Sequence, residues 1–269
     1  MTSLNTPNVA TDPEAGWPFY ALHIMGSNLV REYFLVANYK RCIKHAANYR
    51  TVTKRNIELI EKTQGSFPHK TQLLAGAKEI TDWVAKMEED NYHELYVNSF
   101  IGMWSSFEAG IENVIADFLA NDRNVASRAF QSLKRPPLRM EDWPWGKEEC
   151  LDATHILERA ANRSANAEWW DIYQRISKLF SLIGVSFCVE DKKQHDLAEA
   201  NMVRNIILHR YGHLGVREVE AFPHLSQWTG RVVPFNEERF SRYYMAIVAV
   251  ISGLLISISA THSVRKDDA

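Results

Sequence analysis

Apolar side chains recur every three or four residues along most of this chain, and this spacing is the strongest constraint on its fold. One such run is formed by Leu29, Tyr33, Val36, Tyr39 and Ile43. An α-helix turns once in about 3.6 residues, so this spacing gathers apolar side chains on one helical face. The chain is therefore predicted to be all-α, an antiparallel helical bundle with long amino-terminal helices.

The same periodicity sets the bounds of the predicted helices. The segment from Gly65 to Pro68 interrupts it, because glycine and proline both oppose a helix. Asn236 is predicted to cap the last helix, with Glu237 and Glu238 favourably placed in its first turn. Helices are predicted over residues 29–60, 69–88, 91–120, 148–162, 168–183, 192–210 and 237–259.

The composition changes between residues 134 and 147, where three prolines and two tryptophans cluster. This segment is predicted to be a loop between an amino-terminal helical region, 17–133, and a carboxy-terminal one, 148–262. The alternative is one continuous domain over 17–262. Residues 1–16 are polar and predicted to be a flexible tail. Trp143 and Trp145 either pin the loop to the protein body, which we favour, or stack on nucleic-acid bases.

Charge and cysteine usage exclude some classes of protein. The chain has 31 basic and 33 acidic residues, a formal net charge of -2, so any contact with RNA must be local. Cys42, Cys150 and Cys188 are far apart and form no CxxC pair. This usage is typical of a reducing cytoplasm, and the three thiols are predicted to be buried small apolar groups.

The apolar run over residues 243–259 has two interpretations, a membrane anchor or a helix buried on all sides of a bundle. A membrane span needs about 20 apolar residues, and several serines dilute this run. We therefore expect a buried helix, no stable membrane association and a cytoplasmic protein.

The stretch from Arg204 to His209 places a permanent cation and a titratable imidazole near the end of a predicted helix. Arginine offers a planar fork of donors to phosphate oxygens, whereas histidine changes its charge near neutral pH. Such a pair can cleave a phosphodiester without a metal. A second pair, Arg217 and His224, is set aside because Pro223 opposes a helical frame between them.

Gly212 is predicted to end the helix that carries Arg204 and His209. Residues 214–235, which follow it, contain short β-branched runs that predict a small hairpin or an irregular insertion. His209 and His213 have the spacing of a helical zinc pair, but the glycine interrupts the helix and no third ligand lies nearby in sequence. No metal site and no cofactor are predicted.

A family resemblance is carried by Arg204, Asn205, three aliphatic residues and His209, followed by a polar residue and a nearby glycine. This pattern resembles the active-site signature of the HEPN superfamily, small helical domains found in many prokaryotic ribonucleases and toxins. The segment 107–109 is similar to part of a core helix of these domains, and residues 243–259 resemble their apolar closing helix. The resemblance implies a HEPN-type bundle and a metal-independent endoribonuclease that acts as a toxin or in antiviral defence.

Tyr211, two residues after His209, completes the Arg-x4-His-x-Tyr pattern of HepT-type toxins. In these toxins a nucleotidyltransferase antitoxin modifies the tyrosine with AMP. The resemblance therefore makes Tyr211 a candidate modification site and implies a cognate antitoxin or nucleotidyltransferase as a partner. This chain is much longer than such toxins.

The expected roles follow from the chemistry of the side chains. His209 is the candidate general acid for the leaving 5′ oxygen, because the negative end of the helix dipole favours its protonated form. Arg204 is expected to stabilise the charge on the phosphorane. Asn205 and Arg210 are the candidate substrate-binding residues. Glu108 is either a carboxylate that faces this site or an ordinary solvated side chain.

Five residues on an ideal helix correspond to about 500°, so Arg204 and His209 point about 140° apart. HEPN ribonucleases use sites at dimer interfaces, and the resemblance implies a homodimer with a composite site that binds RNA. Two other interpretations stay open. One is a non-catalytic HEPN-like dimerisation or interaction module, in which Arg204 pairs with an acidic neighbour. The other is a membrane-tethered helical protein.

Overall fold

The computed structural model describes residues 17–131, 133–165 and 168–267, with side chains described as far as residue 261. The predicted tail, residues 1–16, lies outside these ranges. The protein is all-α, as the apolar spacing predicts. Its helices are α1 (Tyr20–Ala46), α2 (Tyr49–Gln64), α3 (Lys70–Glu89), α4 (His93–Asn121), α5 (Arg123–Gln131), α6 (Lys147–Ser164), α7 (Ile172–Leu182), α8 (Asp191–Arg210), α9 (Val216–Ala221) and α10 (Glu237–Asp267).

Contacts within the chain divide it into two compact units, each built from separate segments of sequence. Unit 1 comprises Met1–Leu29, Met103–Val233 and Ser241–Ala269, and unit 2 comprises Val30–Gly102 and Pro234–Phe240. The segment 134–147 lies inside unit 1. Besides its loop it contains a 3-10 helix, Met140–Asp142.

In unit 1, α6 packs on α7 and α7 packs on α8. Its largest fully buried side chains include Trp104, Phe107, Phe180, Phe222 and Tyr243. In unit 2, α2 packs on α3. Aromatic rings of unit 2 pack around Phe235, which precedes α10, and around Phe240 in its first turn. The ring centre of Phe100 lies 4.9 Å from that of Phe235, and those of Tyr33 and Tyr96 lie 5.7 and 5.5 Å from that of Phe240.

Most predicted helices are present, with differences at their ends. The predicted helix 29–60 is two helices, α1 and α2, separated at Ala47 and Asn48. The short helix α5 was not predicted. The break at Gly65 is confirmed, and there the glycine adopts a φ of 86°. The cap at Asn236 is also confirmed, because its Oδ1 accepts a hydrogen bond from the Arg239 backbone at 3.0 Å.

The segment after α8 is irregular. The expectation of an irregular insertion is therefore confirmed, and the alternative of a hairpin was wrong. Val216 and Val219, the β-branched residues that suggested a strand, belong to helix α9. A 3-10 helix, Pro223–Trp228, follows. Within the described ranges the extended pairing is limited to isolated bridges, His213 with Val232 and Leu214 with Thr229.

Helix α10 is buried on one face only, so the expectation of a helix buried on all sides was wrong. Its buried side chains recur mostly every three or four residues, and they are Phe240, Tyr243, Ala246, Ile247, Val250, Leu254 and Ile258. Other apolar side chains, Met245, Leu255 and Ile256, are exposed. Among the described residues, Glu237–Thr261 is long and apolar enough to cross a membrane by length and composition, which is weak evidence for a membrane span.

Both loop tryptophans are anchored to unit 1. The indole nitrogen of Trp143 donates to the Leu119 carbonyl at 3.0 Å, and that of Trp145 donates to the Arg139 carbonyl at 3.2 Å. The Trp145 ring is buried and lies 5.3 Å from the ring of Phe130. These contacts agree with the favoured interpretation, in which the tryptophans fix the loop.

The prediction that all three cysteine thiols are buried was wrong for two of them. Cys150 is buried, as expected, but Cys42 and Cys188 are exposed. Burial, with smaller contributions from Glu149 and Asp117, raises the pKa of the Cys150 thiol to about 11. Only Cys150 thus behaves as the buried apolar group that the sequence suggested.

Candidate functional site

Arg204 and His209 both belong to α8, as predicted, and lie in its last two turns. The helix ends because Tyr211 and Gly212 adopt left-handed conformations, with φ of 53° and 82°. The backbone N–H groups of both residues donate to the Ile206 carbonyl. The sequence predicted the glycine as the terminator, whereas the first left-handed residue is the tyrosine before it.

Arg204 is held by a carboxylate from α4. Its Nη2 donates to Glu108 Oε2 at 2.8 Å, and its Nη1 donates to Asn205 Oδ1 at 3.0 Å. Glu108 therefore faces the motif, and its side chain is also 39% exposed. A guanidinium has five N–H groups. Among the described residues, three N–H groups of Arg204 make no hydrogen bond, and the side chain is 25% exposed.

His209 is exposed, and no hydrogen bond to its ring is found within the described part of the chain. Nor does any described hydrogen bond or ion pair join it to Arg204. The structure therefore brings Arg204 to Glu108 and leaves His209 facing solvent at the end of α8.

The other three predicted residues have different surroundings. Asn205 accepts the bond from Arg204. Arg210 donates through Nη1 to both carboxylate oxygens of the buried Glu218 at 3.1 Å, which ties the end of α8 to α9. Tyr211 is 91% exposed, so its hydroxyl is open to solvent. Of the three, Asn205 and Arg210 therefore already have side-chain contacts within the protein.

A buried polar cluster that the sequence did not reveal lies earlier on α8. Glu199 has no exposed surface. Its two oxygens accept hydrogen bonds from Arg242 at 2.6 and 2.9 Å and from the Tyr243 hydroxyl at 2.6 Å. His224 Nε2 lies 2.9 Å from the same carboxylate. We call these four residues the Glu199 cluster.

The Glu199 cluster keeps its carboxylate ionised. Burial raises the pKa of Glu199. The hydrogen bonds from Arg242 and Tyr243, together with the charges of Arg242 and His224, lower the pKa by more than burial raises it, so the net shift is downward. An ionised carboxylate only accepts hydrogen bonds, so His224 must donate from Nε2 and its Nδ1 carries the lone pair when the ring is neutral. The cluster fastens α10 and the 3-10 helix Pro223–Trp228 to α8.

The set-aside pair, Arg217 and His224, is not brought together by the described contacts. The Arg217 guanidinium lies over the Trp169 ring at 4.7 Å, and His224 binds Glu199 instead. The signal that could have found Glu199 is a charged residue among apolar ones in α8, where Leu197, Ala198 and Ala200 are all buried.

A cavity of about 230 Å³ in unit 1 opens beside the contact between α4 and Arg204. Glu108, which binds Arg204, is one of its lining residues, and Glu112 and Glu158 are two others. Apolar side chains of α4 and α7 form most of the remaining wall. The cavity and the Arg204–Glu108 contact thus share one carboxylate.

No protein-family model, characterised protein or solved structure matches this chain. The resemblance to HEPN domains therefore depends on the residues of the chain itself, chiefly Arg204, His209 and the segment that contains Glu108.

Proposed function

We propose that this chain is a metal-independent endoribonuclease of HEPN type, a cytoplasmic toxin or antiviral effector that acts as a homodimer. The observation that carries the proposal is the arrangement at the end of α8. Arg204 is fixed by Glu108 with donors to spare, and His209 is exposed and unbonded among the described residues. The Arg204 guanidinium is suited to binding phosphate, and the His209 imidazole is suited to proton transfer.

The proposed reaction needs no added reactant. The RNA 2′ oxygen attacks the adjacent phosphorus, the bond to the 5′ oxygen breaks, and a 2′,3′-cyclic phosphate forms. His209 donates a proton to the leaving 5′ oxygen, and the proton of the 2′-hydroxyl passes to water. Arg204 stabilises the additional negative charge on the phosphorane.

The local character of the positive charge fits a selective rather than a general affinity for RNA. With a net charge of -2, the chain offers phosphate only local cationic groups such as Arg204. Asn205 is proposed to contact substrate beside it. Arg210 contributes only if RNA competes with Glu218 for its guanidinium.

The exposure of Tyr211 supports a second part of the proposal, in which a cognate nucleotidyltransferase transfers AMP to its hydroxyl. A side chain that is 91% exposed is accessible to another protein. Mass spectrometry of the peptide that contains Tyr211, after incubation with that enzyme and ATP, tests this. An unmodified peptide contradicts it.

The competing function is a non-catalytic interaction module, and the Arg204–Glu108 ion pair favours it. In that function the pair fastens α8 to α4, and His209 is an ordinary surface residue. The two functions differ in what the removal of His209 does, because an exposed residue without contacts has little effect on stability.

The test compares RNA cleavage by the folded wild type with that of His209→Ala and Arg204→Ala. Each substitution is expected to reduce cleavage by about a hundredfold or more, since general acid catalysis and charge stabilisation each supply about that factor. EDTA is expected to leave cleavage unchanged, and the products should end in 2′,3′-cyclic phosphate.

His213→Ala is the matched control, because this exposed histidine lies just beyond the end of α8. It should cleave RNA like the wild type. Circular dichroism establishes that each variant is folded. Full cleavage by His209→Ala would assign the motif to the interaction module.

A further inference from the structure

Three side chains that the proposed reaction does not use converge on the surface of unit 1. Glu112 belongs to α4, and His155 and Glu158 lie one turn apart on α6. One ligand atom from each, an imidazole nitrogen or a carboxylate oxygen, lies within 4.8 Å of the others. We call these three residues the Glu112 cluster.

The three side chains have the chemistry of a metal centre. Ligand nitrogen and oxygen atoms lie about 2.0–2.2 Å from a bound zinc ion, so two ligands of one ion are separated by at most about 4 Å. Modest side-chain rotation closes the observed spacing. One imidazole with two carboxylates suits divalent ions of the first transition series, such as Mn²⁺ and Zn²⁺.

Among the described residues, no hydrogen bond or ion pair joins Glu112 or Glu158 to a lysine or arginine, although the charge of Arg159 acts on Glu158. Glu158 is half-buried and accepts no hydrogen bond among the described residues. Glu112 has His155 at 3.8 Å, beyond hydrogen-bond distance. Two carboxylates held together without a cation repel each other, and a divalent ion removes that repulsion.

The nearest cavity adds an independent observation. Glu112 and Glu158 line the 230 Å³ cavity together with Asn162 and Arg175. Arg175, a cation in the same lining, donates to the carbonyls of Glu168 and Trp169 at 3.2 and 2.6 Å. The cavity is therefore lined by three carboxylates, including that of Glu108, and by an amide, with room for water or a further ligand.

We infer that Glu112, His155 and Glu158 bind one divalent transition-metal ion that joins α4 to α6. His155 approaches from the exposed side, and the two carboxylates approach from the cavity. Three protein ligands leave coordination positions directed to the cavity. This site is separate from Arg204 and His209 and does not depend on the ribonuclease proposal.

The test is titration of full-length, EDTA-treated protein with Mn²⁺ and then with Zn²⁺, measured by calorimetry without RNA. We expect one ion per chain. His155→Ala and Glu158→Gln are each expected to weaken binding at least tenfold, because changes even to the groups that support metal ligands cost about 10–100-fold. The wild type should gain thermal stability from the ion, and the variants should not.

His213→Ala and Glu220→Gln are the matched controls, since both residues are exposed and lie outside the cluster. They should bind the ion like the wild type. Failure of both ions to bind the wild type overturns the inference. Equal binding by Glu158→Gln also overturns it, and loss of binding in His213→Ala alone would place the ion at His209 and His213. Since binding is measured without RNA, loss of cleavage in the earlier test leaves this result unaffected.

Discussion

Glu199 is a carboxylate with no exposed surface, so its environment has a large energetic consequence for the chain. An isolated carboxylate buried in a protein costs several kcal/mol, and only good hydrogen bonds and an opposite charge offset that cost. Glu199 has both, from Arg242, Tyr243 and His224. The contacts also join α8 to two later segments, so the carboxylate fixes the order of elements around the helix that carries Arg204.

We predict that Glu199→Gln lowers the free energy of unfolding by about 1–3 kcal/mol at pH 7, because Arg242, which is 30% exposed, then keeps only Asp196 as an ionised partner. Glu220→Gln, an exposed glutamate on α9, should change it by less than about 0.5 kcal/mol. Urea denaturation at fixed temperature measures both. The two variants must also be compared as a function of pH.

The pH dependence has a definite sign. The pKa of Glu199 is lower in the folded chain than its ordinary value of 4.5, so its stabilisation is complete above that value and is lost as pH falls through the folded pKa. The gap between wild type and Glu199→Gln should therefore be largest near pH 7 and shrink below pH 4.5. A gap that stays constant down to pH 3 would contradict the cluster.

The sequence identified Arg204 and His209 and their place at the end of a helix, because both belong to one periodic segment. It did not identify the partners of these residues. Glu108 lies 96 positions from Arg204, and Glu199 lies 43 from Arg242. Spacing along one helix cannot reveal a contact that depends on how distant helices pack.

At the scale of the elements, close helix packing in unit 1 depends on a glycine of α4. A Cβ at Gly110 would meet the Cβ of Met25 of α1 at 2.6 Å, nearer than real Cβ atoms approach. The Cβ of a side chain cannot rotate away, so the helices would have to separate. Gly26, next to Met25, has nothing within 4 Å of an added Cβ.

We predict opposite effects for the same substitution at these two helical glycines. Gly110→Ala should destabilise the protein by about 1–3 kcal/mol through overpacking. Gly26→Ala should stabilise it by about 0.5–1 kcal/mol, because alanine loses less backbone entropy in a helix. Thermal unfolding of the two variants beside the wild type measures the difference, and equal shifts would show that α1 and α4 are not packed this closely.

Long periodic helices were predicted well, and short ones were not. The nine residues of α5 and the six of α9 are too few to form stable helices alone, so tertiary contacts decide their structure. Val216 and Val219 favour a strand, yet Glu218 between them is buried against Arg210. That contact holds α9 in place against the local preference.

At the scale of the whole molecule, the sequence could not predict two units assembled from separate segments. Periodicity gives the faces of helices, and α1, α4 and α10 are each continuous across the boundaries of the units. The composition change at 134–147 marked a loop, but this loop lies inside unit 1 and does not divide the units. Prolines and tryptophans indicate a turn, and they do not show which segments pack together on either side of it.

The last prediction concerns the proposed dimer. If both Arg204–His209 pairs share one cleft, then Arg204→Ala and His209→Ala homodimers are each inactive for different reasons. A mixed dimer keeps one arginine and one histidine. Dissociating and reassociating the two inactive variants together should therefore restore part of the RNA cleavage, at most the share of dimers that are mixed.

The geometry of α8 supports this expectation, because residues five apart on a helix point about 140° away from each other and one chain cannot easily direct both at one phosphate. Each variant treated alone in the same way is the control, and Arg204→Ala mixed with the double variant Arg204→Ala, His209→Ala should stay inactive. Light scattering must show a dimer throughout. Cleavage by a wild-type monomer, or no recovery from mixed dimers that are shown to form, would place the site within a single chain.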